Sequence, residues 1–461
     1  MVPVLKRLSG VSGIRSEIHV RDDLEFKLPK TASLSIMITM NILLQMSFFI
    51  IVSSSDKYGE FLGGSPTFSG LVIGIPTVFG GLALIPMTRL DKGKYALSLH
   101  VGCFSAILGH VMYAMAYRAR FLYMVLIGRC LNGVSFTGFM YTKLYCTDPR
   151  IVGVRRRTTL ASFLVIGQGI GMSLGPFLGG LLYKVGFPNP IFNGYTSPGW
   201  VMAGVYVVFW VIIAFYFEDV PQVASAESLP MTGPKTPPIG NGSNPVTTTR
   251  HIPVIQTPMA FLSQFTAGQW GVILCTCWFS MSCFFILGSW EANLPVFGAN
   301  TPNLRWSPNA AGNFIALGGI TAFPFLLANI FLAKRTQDRK LLAFGSGLGL
   351  FGLLVFVSLL RSGKVNYGSL FVCWWAIALG FNLATTATIS LLSKQLPPEW
   401  NRWSSMIIQY SNYTGRVTGA VWGGSGVSVG MLRYVGLEIA FVGIGAVLFT
   451  TLWRNLKTKT G

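Results

Sequence analysis

Gly171-Met172-Ser173-Leu174-Gly175-Pro176-Phe177-Leu178-Gly179-Gly180 lies inside a long uncharged stretch. In a helix, residues four apart share a face, so Gly171, Gly175 and Gly179 make a smooth strip against which a second backbone packs closely. Pro176 breaks one rung of the hydrogen-bond ladder and offers a bend. The spacing returns 244 residues later as Gly415, Gly419, Gly423 and Gly424. A second pair of stretches repeats at an offset of 242, with Ser65-Pro66 leading to Gly70 and Ser307-Pro308 leading to Gly312. Each continues with paired glycines (Gly80-Gly81, Gly318-Gly319) and a later proline (Pro86, Pro324). Glycine and proline are frequent in membrane helices in any case, but the shared offsets point to a duplicated chain.

The composition agrees with a membrane setting. Of 461 residues, 51% are hydrophobic and 11% charged, against about 25% charged in soluble domains. The charges sit in short islands between apolar runs long enough to cross a hydrocarbon core of roughly 30 Å. Runs near 31–53, 66–88, 95–117, 121–143, 158–183, 199–217, 268–294, 308–333, 341–361, 367–393, 404–428 and 436–453 predict an all-α membrane protein. Its twelve transmembrane helices divide into two six-helix halves, 31–217 and 265–453. Between them, 218–264 is rich in Pro, Ser, Thr and Gly and reads as a flexible linker. Residues 1–30 and 454–461 read as polar tails. The first 30 residues hold no apolar signal core, so the first run serves as an uncleaved anchor.

The net charge of +20 does not indicate a nucleic-acid partner, because the basic residues form no single face. Twenty-five lie in the tails and loops on the side of the termini and eight on the other, with Arg129 and Arg416 inside helices. Positive residues favour the cytoplasmic side, so both termini and the linker are expected there. The lipid bilayer is the obligatory partner, and a monomer is expected. The seven cysteines lie mostly within apolar runs, and Cys275 and Cys277 have the wrong spacing for a redox or zinc motif. No metal or cofactor is expected.

Few polar residues fall inside the helices. Arg416 lies near the middle of the eleventh run and Arg129 within the fourth. A buried arginine costs several kcal/mol unless it meets a partner or a wet cavity, so both are candidates for substrate or coupling roles. The plain alternative is a guanidinium satisfied by backbone carbonyls. Glu291, just before Pro295, is the one carboxylate placed away from a run's edge; it is either a proton carrier or a residue reaching for the interface. Asn41 and Gln45, four apart, share a face of the first helix and either line a cavity or pair between helices. A lone His110 is more often packed than functional. There is no Walker loop, which argues against ATP drive, and no HExxH or Ser/His/Asp arrangement, so no enzyme is expected.

The stretch 171–180 resembles the GxxxGPxxGG antiporter signature of the major facilitator superfamily, so Gly171, Gly175, Pro176, Gly179 and Gly180 become its helix-bending motif. Ile127-Gly128-Arg129-Cys130-Leu131-Asn132-Gly133 resembles that superfamily's arginine motif, and Arg89-Leu90-Asp91-Lys92-Gly93-Lys94 its charged loop, a latch between helices. More narrowly, Phe192-Asn193-Gly194-Tyr195-Thr196-Ser197-Pro198-Gly199-Trp200-Val201-Met202 resembles the FNxxTxPGWxM segment of the SPX-type vacuolar phosphate carriers and their lysosomal facilitator relatives. Glu291 and Gly415-Arg416-Val417 are similar to positions in the same group. About 30 polar residues stand before the first helix here, without an SPX domain. The resemblance implies a secondary active transporter working by alternating access. Proton-coupled efflux of a small organic compound is the first expectation. A facilitative phosphate or chloride carrier or channel of a vacuolar or lysosomal membrane is the second, with Arg129 and Arg416 as anion ligands. A plasma-membrane location is equally consistent.

Overall fold

The computed structural model describes residues 26–148, 150–153, 156–220, 265–332, 336–396 and 401–457. The N-terminal tail to residue 25, most of the expected linker (221–264) and the last residues (458–461) lie outside the described residues. Among the described residues the regular structure is helical. The first half comprises α1 (Thr31–Phe49), α2 (Ser55–Phe61), α3 (Pro66–Leu90), α4 (Ala96–Ala119), α5 (Leu122–Ser135), α6 (Gly138–Thr147), α7 (Arg157–Val185) and α8 (Ser197–Tyr216). The second comprises α9 (Ala267–Asn300), α10 (Pro308–Leu332), α11 (Asp338–Ser362), α12 (Tyr367–Gln395), α13 (Asn401–Val429) and α14 (Met431–Thr451).

Among the described residues eleven spans, with α5 and α6 counted as one, are long and apolar enough to cross a membrane. The twelfth is α13, with 29 residues but more polar. Three of its hydroxyls are satisfied within the helix: Ser411 Oγ donates to Ile407 O, Thr414 Oγ1 to Tyr410 O and Thr418 Oγ1 to Thr414 O. Protein also covers it on two sides, through α9 and α3, and a helix wrapped by protein need not be apolar on every face.

The expected fourth helix is split. At Phe136-Thr137 the amides turn to carbonyls three residues back, with Phe136 N donating to Gly133 O and Thr137 N to Val134 O. Ser135 Oγ and Thr137 Oγ1 also bond back to the carbonyls of Asn132 and Val134, contacts that bend helices. The remaining boundary shifts have visible causes. A capping box at Thr266 and Gln269 starts α9, and Ser65 caps α3 ahead of Pro66. Gly430, at φ 98°, separates α13 from α14, so the last helix begins five residues before the expected 436.

Glycines set the layout. A Cβ at Gly175 would stand 2.6 Å from Phe49 Cβ, and one at Gly179 would stand 1.8 Å from Ile50 O, so α7 lies directly on α1. A Cβ at Gly180 would stand 2.9 Å from Asn309 Cα on the other face, toward α10. The second half repeats the pattern. At Gly415, Gly419 and Gly423 a Cβ would meet Met281 O, Phe285 O and Ser289 O of α9 at 2.1, 2.0 and 2.1 Å. At Gly424 it would meet Pro66 O of α3 at 2.3 Å. Each half thus presses one glycine-faced helix against its own first helix and across to the second helix of the other half.

Candidate functional site

Because α13 lies flat on α9, two side chains 125 positions apart in sequence meet. Arg416 Nη2 lies 2.9 Å from Glu291 Oε2, and Nη1 donates to Oε1 at 3.2 Å. One arm of the guanidinium thus makes a charge-assisted hydrogen bond, and the other lies in ion-pair contact with Oε2, which accepts no hydrogen bond. The side chains are 8% and 3% exposed. Gly288, one turn before Glu291, makes room: a Cβ there would stand 3.0 Å from Arg416 O and 3.4 Å from its Cδ. The other face of the guanidinium stacks on rings, with Cζ 4.6 Å from the Phe48 centroid, 5.1 Å from Phe49 and 5.7 Å from Phe284. Phe48 and Phe49 belong to α1, so a charge pair built by the second half is roofed by aromatics of the first. Cation–π contacts of this kind contribute about 2 kcal/mol or more when dry.

Arg129 stands differently. It is 1% exposed; Nε donates to Val72 O at 3.2 Å and Nη1 to Ser47 O at 3.3 Å, while Nη2 has no hydrogen-bond partner. Among the described residues no carboxylate lies within ion-pair reach of it. Around it stand uncharged polar groups. Ser47 Oγ lies 2.6 Å from His110 Nε2 and accepts from Asn132 Nδ2 at 3.1 Å. Tyr206 packs flat against His110, centroids 6.1 Å apart. Close backbone contact assembles the cluster: a Cβ at Gly128 would stand 2.7 Å from Gly109 O, and one at Gly133 2.5 Å from Pro76 O.

Asn41 and Gln45 do share a face, and it is turned to α7. Asn41 Nδ2 donates to Leu164 O at 2.9 Å and its Oδ1 accepts from Gln168 Nε2 at 3.4 Å. Gln45 Cβ lies where a Cβ on Gly171 would stand 2.7 Å away. The structure brings neither to an arginine. Pro176 faces the other half, its carbonyl 2.3 Å from where a Gly312 Cβ would stand.

One site residue went unforeseen. Glu291 is not alone as an intramembrane carboxylate: Glu438 in α14 is wholly buried, and Ser289 and Trp290, the two residues before Glu291, both bond to it. The expected start at 436 left Glu438 at a helix edge; the glycine at 430 was the available signal.

The Phe192–Met202 segment is consumed by local structure. Asn193 Oδ1 accepts from Tyr195 N and Thr196 N, Thr196 Oγ1 donates to Ile191 O, and Trp200 Nε1 donates to the same carbonyl. The loop at 89–94 does tie elements together. Asp91 accepts from Gly93 N and from Tyr141 Oη, and Arg150 Nη2 reaches Gly93 O at 3.0 Å. Arg150 also pairs with Asp148 at 2.6 Å, and Tyr95 Oη donates to Asp148 Oδ2. Burial alone would raise the Asp148 carboxyl, but the bonds from Arg150 and Tyr95 outweigh it and hold it below the usual 3.8.

A helical membrane protein of two matched halves, with a buried ion pair at their junction, is the architecture of a transporter. The Major Facilitator Superfamily model matches residues 35–427, and the chain belongs to that family. It is 31% identical to an MFS-type transporter of Schizosaccharomyces pombe over 94% of this chain and 84% of that protein. Similarity to an SPX domain-containing membrane protein of Oryza sativa is partial, 32% identity over 40% of this chain and 26% of that one. Among solved structures, a POT family transporter in complex with 5-aminolevulinic acid aligns with a TM-score of 0.68 at 10% identity, covering 93% of this chain and 99% of that one. An inward-facing, occupied bacterial homolog of the human lysosomal transporter Spinster aligns with a TM-score of 0.64 at 13% identity, covering 92% and 96%. At such identities the likeness shows the fold.

Proposed function

We propose that this protein is a proton-coupled secondary transporter that exports a small organic compound by alternating access, with Glu291 as proton carrier and Arg416 as its counter-charge. The observation that carries the reading is the Arg416–Glu291 pair beneath Phe48 and Phe49. A buried pair returns little net stability for its desolvation, which favours a working role. Protonation of Glu291 releases the guanidinium fork, and a fork freed at the junction of the halves is suited to a carboxylate or phosphate on the cargo. The pair also spans α9 and α13, the helices that lean on the first half, so its state bears on how the halves meet. The glycine-proline strip at 171–180 supports exchange and efflux only by resemblance. Both termini face the cytoplasm in this reading, the membrane being plasma, vacuolar or lysosomal.

The test is flux in proteoliposomes holding the full chain, with and without an imposed pH gradient, across phosphate, chloride and apolar organic probes. Gradient-driven movement of an organic probe is expected. Phosphate or chloride flux indifferent to the gradient would overturn proton-coupled efflux. That second reading, a facilitative anion carrier, draws on the free Nη2 of Arg129, a buried positive group with no carboxylate beside it among the described residues.

A further inference from the structure

We propose that Glu438 is a second proton-binding site in the C-terminal half, separate from Glu291, which holds a proton in the arrangement seen here. Its carboxyl is 0% exposed. Trp290 Nε1 donates to Oε2 at 2.9 Å, and Ser289 Oγ bonds to Oε1. Ser289 Oγ also lies 2.9 Å from Tyr434 Oη and 3.2 Å from Ile286 O.

Counting hydrogens decides how this cluster closes. A serine hydroxyl has one hydrogen and two lone pairs, a tyrosine hydroxyl has one hydrogen to give, and an indole N–H only donates. With a proton on Oε1, Glu438 donates to Ser289 Oγ, Ser289 donates to Ile286 O, Tyr434 donates to Ser289 and Trp290 donates to Oε2. Every polar hydrogen then has an acceptor and the cluster is uncharged. Without that proton, the Ser289 hydroxyl turns from Ile286 O to Oε1, with the Tyr434 hydroxyl also in reach of the carboxylate, and a full negative charge remains.

Among the described residues no cation stands near to balance that charge. Helix α14 packs on α9, α11 and α13. From α9 the facing groups are Ser289 and Trp290, and the next residue, Glu291, is engaged with Arg416. From α13 comes Trp422, which donates to Tyr434 O at 3.3 Å and stacks on that ring. Phe356 of α11 and Trp374 of α12 pack on Trp290. Arg433, on α14 itself, is exposed. Among the described residues no Lys, Arg or His lies within ion-pair distance of Glu438. An isolated carboxylate in such surroundings carries a heavy desolvation cost and takes up a proton instead. The Ser289 rotor is therefore a register of proton occupancy, two residues from the Arg416–Glu291 pair on the same helix.

Infrared spectroscopy of the full chain in liposomes reads this directly and needs no transported ligand. A protonated-carboxyl stretch that shifts in D2O is expected at neutral pH, absent from Glu438→Gln and retained in Glu291→Gln. The amide keeps both contacts, donating to Ser289 and accepting from Trp290, so Glu438→Gln should fold normally. If the band is the same in wild type and Glu438→Gln, Glu438 is not the proton site. Because Glu291→Gln is read separately, loss of the band there alone would overturn this proposal and leave the reading of Glu291 standing.

Discussion

Among the described residues each half of the molecule buries one arginine, and the two are stabilised in opposite ways. Arg416 meets a carboxylate through one hydrogen bond and a second ion-pair contact, and lies under aromatics contributed by the other half. Arg129 meets two main-chain carbonyls within its own half and leaves one nitrogen without a partner. A carbonyl neither titrates nor leaves, so the first-half arginine is fixed by groups that cannot change state. The second-half arginine is held by a group that can. The two halves carry matching glycine seams, but the chemistry placed on them differs.

The sharpest way to break this contrast is to remove one side of each arrangement. Arg416→Ala strands Glu291 as a buried charge, a change that costs about 3–5 kcal/mol. Its unfolding temperature in detergent should fall steeply and transport should stop. Adding Glu291→Gln to that variant should recover much of the thermal loss and none of the transport. If the double variant is no more stable than the single, the pair is not the unit described.

Next in size is crowding of the seams. Gly179→Ala and Gly423→Ala each place a methyl where a carbonyl oxygen now sits, 1.8 Å from Ile50 O and 2.1 Å from Ser289 O. Overpacking costs about 1–3 kcal/mol. Similar losses from both substitutions would show the two seams to be equivalent, and a large loss from one alone would break the symmetry.

Lysine in place of each arginine gives a smaller and more diagnostic effect. Arg416→Lys replaces a fork with a single point of charge and should weaken transport and shift its pH optimum. Arg129→Lys retains one carbonyl contact and should cost about 1 kcal/mol with the pH profile unchanged. In the same assay, Glu291→Gln should flatten that profile, since an amide carries no exchangeable acid proton. An unaltered profile would leave Glu291 a purely structural partner.

The smallest effect is expected in the loop pair. Because Arg150 holds the Asp148 carboxyl below its usual 3.8, the pair's contribution is present above that value. It is lost as pH falls through the lower, folded value. Asp148→Asn should therefore remove at most about 1 kcal/mol at neutral pH and nothing in strong acid, measured as unfolding temperature against pH.

Much of this was legible in the sequence. Runs of apolar residues and the 244-residue glycine offset are local or periodic signals, and they survive folding because a membrane admits few alternatives to helices. Even α13, too polar to stand out by hydropathy, was marked by Gly415, Gly419 and Gly423. The break at Phe136 left no such mark, since serine and threonine are ordinary in membrane helices and only their back-bonding to the preceding turn reveals the bend. The two chief site residues were recognisable as buried charges, but not as partners, because nothing local connects position 291 to 416. Asn41 and Gln45 were placed on one face correctly; which neighbour that face meets is a tertiary fact. Glu438 was hidden by a helix start set six residues late relative to Gly430.

The contacts between the halves have a mechanical consequence. Where α7 meets α10 and α13 meets α3, backbone faces backbone: Gly312 beside Pro176 O, Gly70 beside Ala420 O, Gly424 beside Pro66 O. At these three points the joint has no interlocking teeth, whereas further along α3 it is pinned, Tyr410 Oη donating to Gly81 O and Thr77 Oγ1 to Tyr413 O. Side chains that mesh must change rotamer before one helix rolls over another, whereas a carbonyl gliding over a bare Cα trades one shallow contact for the next. At these glycines the seams are therefore tight against separation and offer little steric resistance to rolling. Small methyl additions at Gly70 or Gly312 should slow turnover by a larger factor than they weaken any bound cargo.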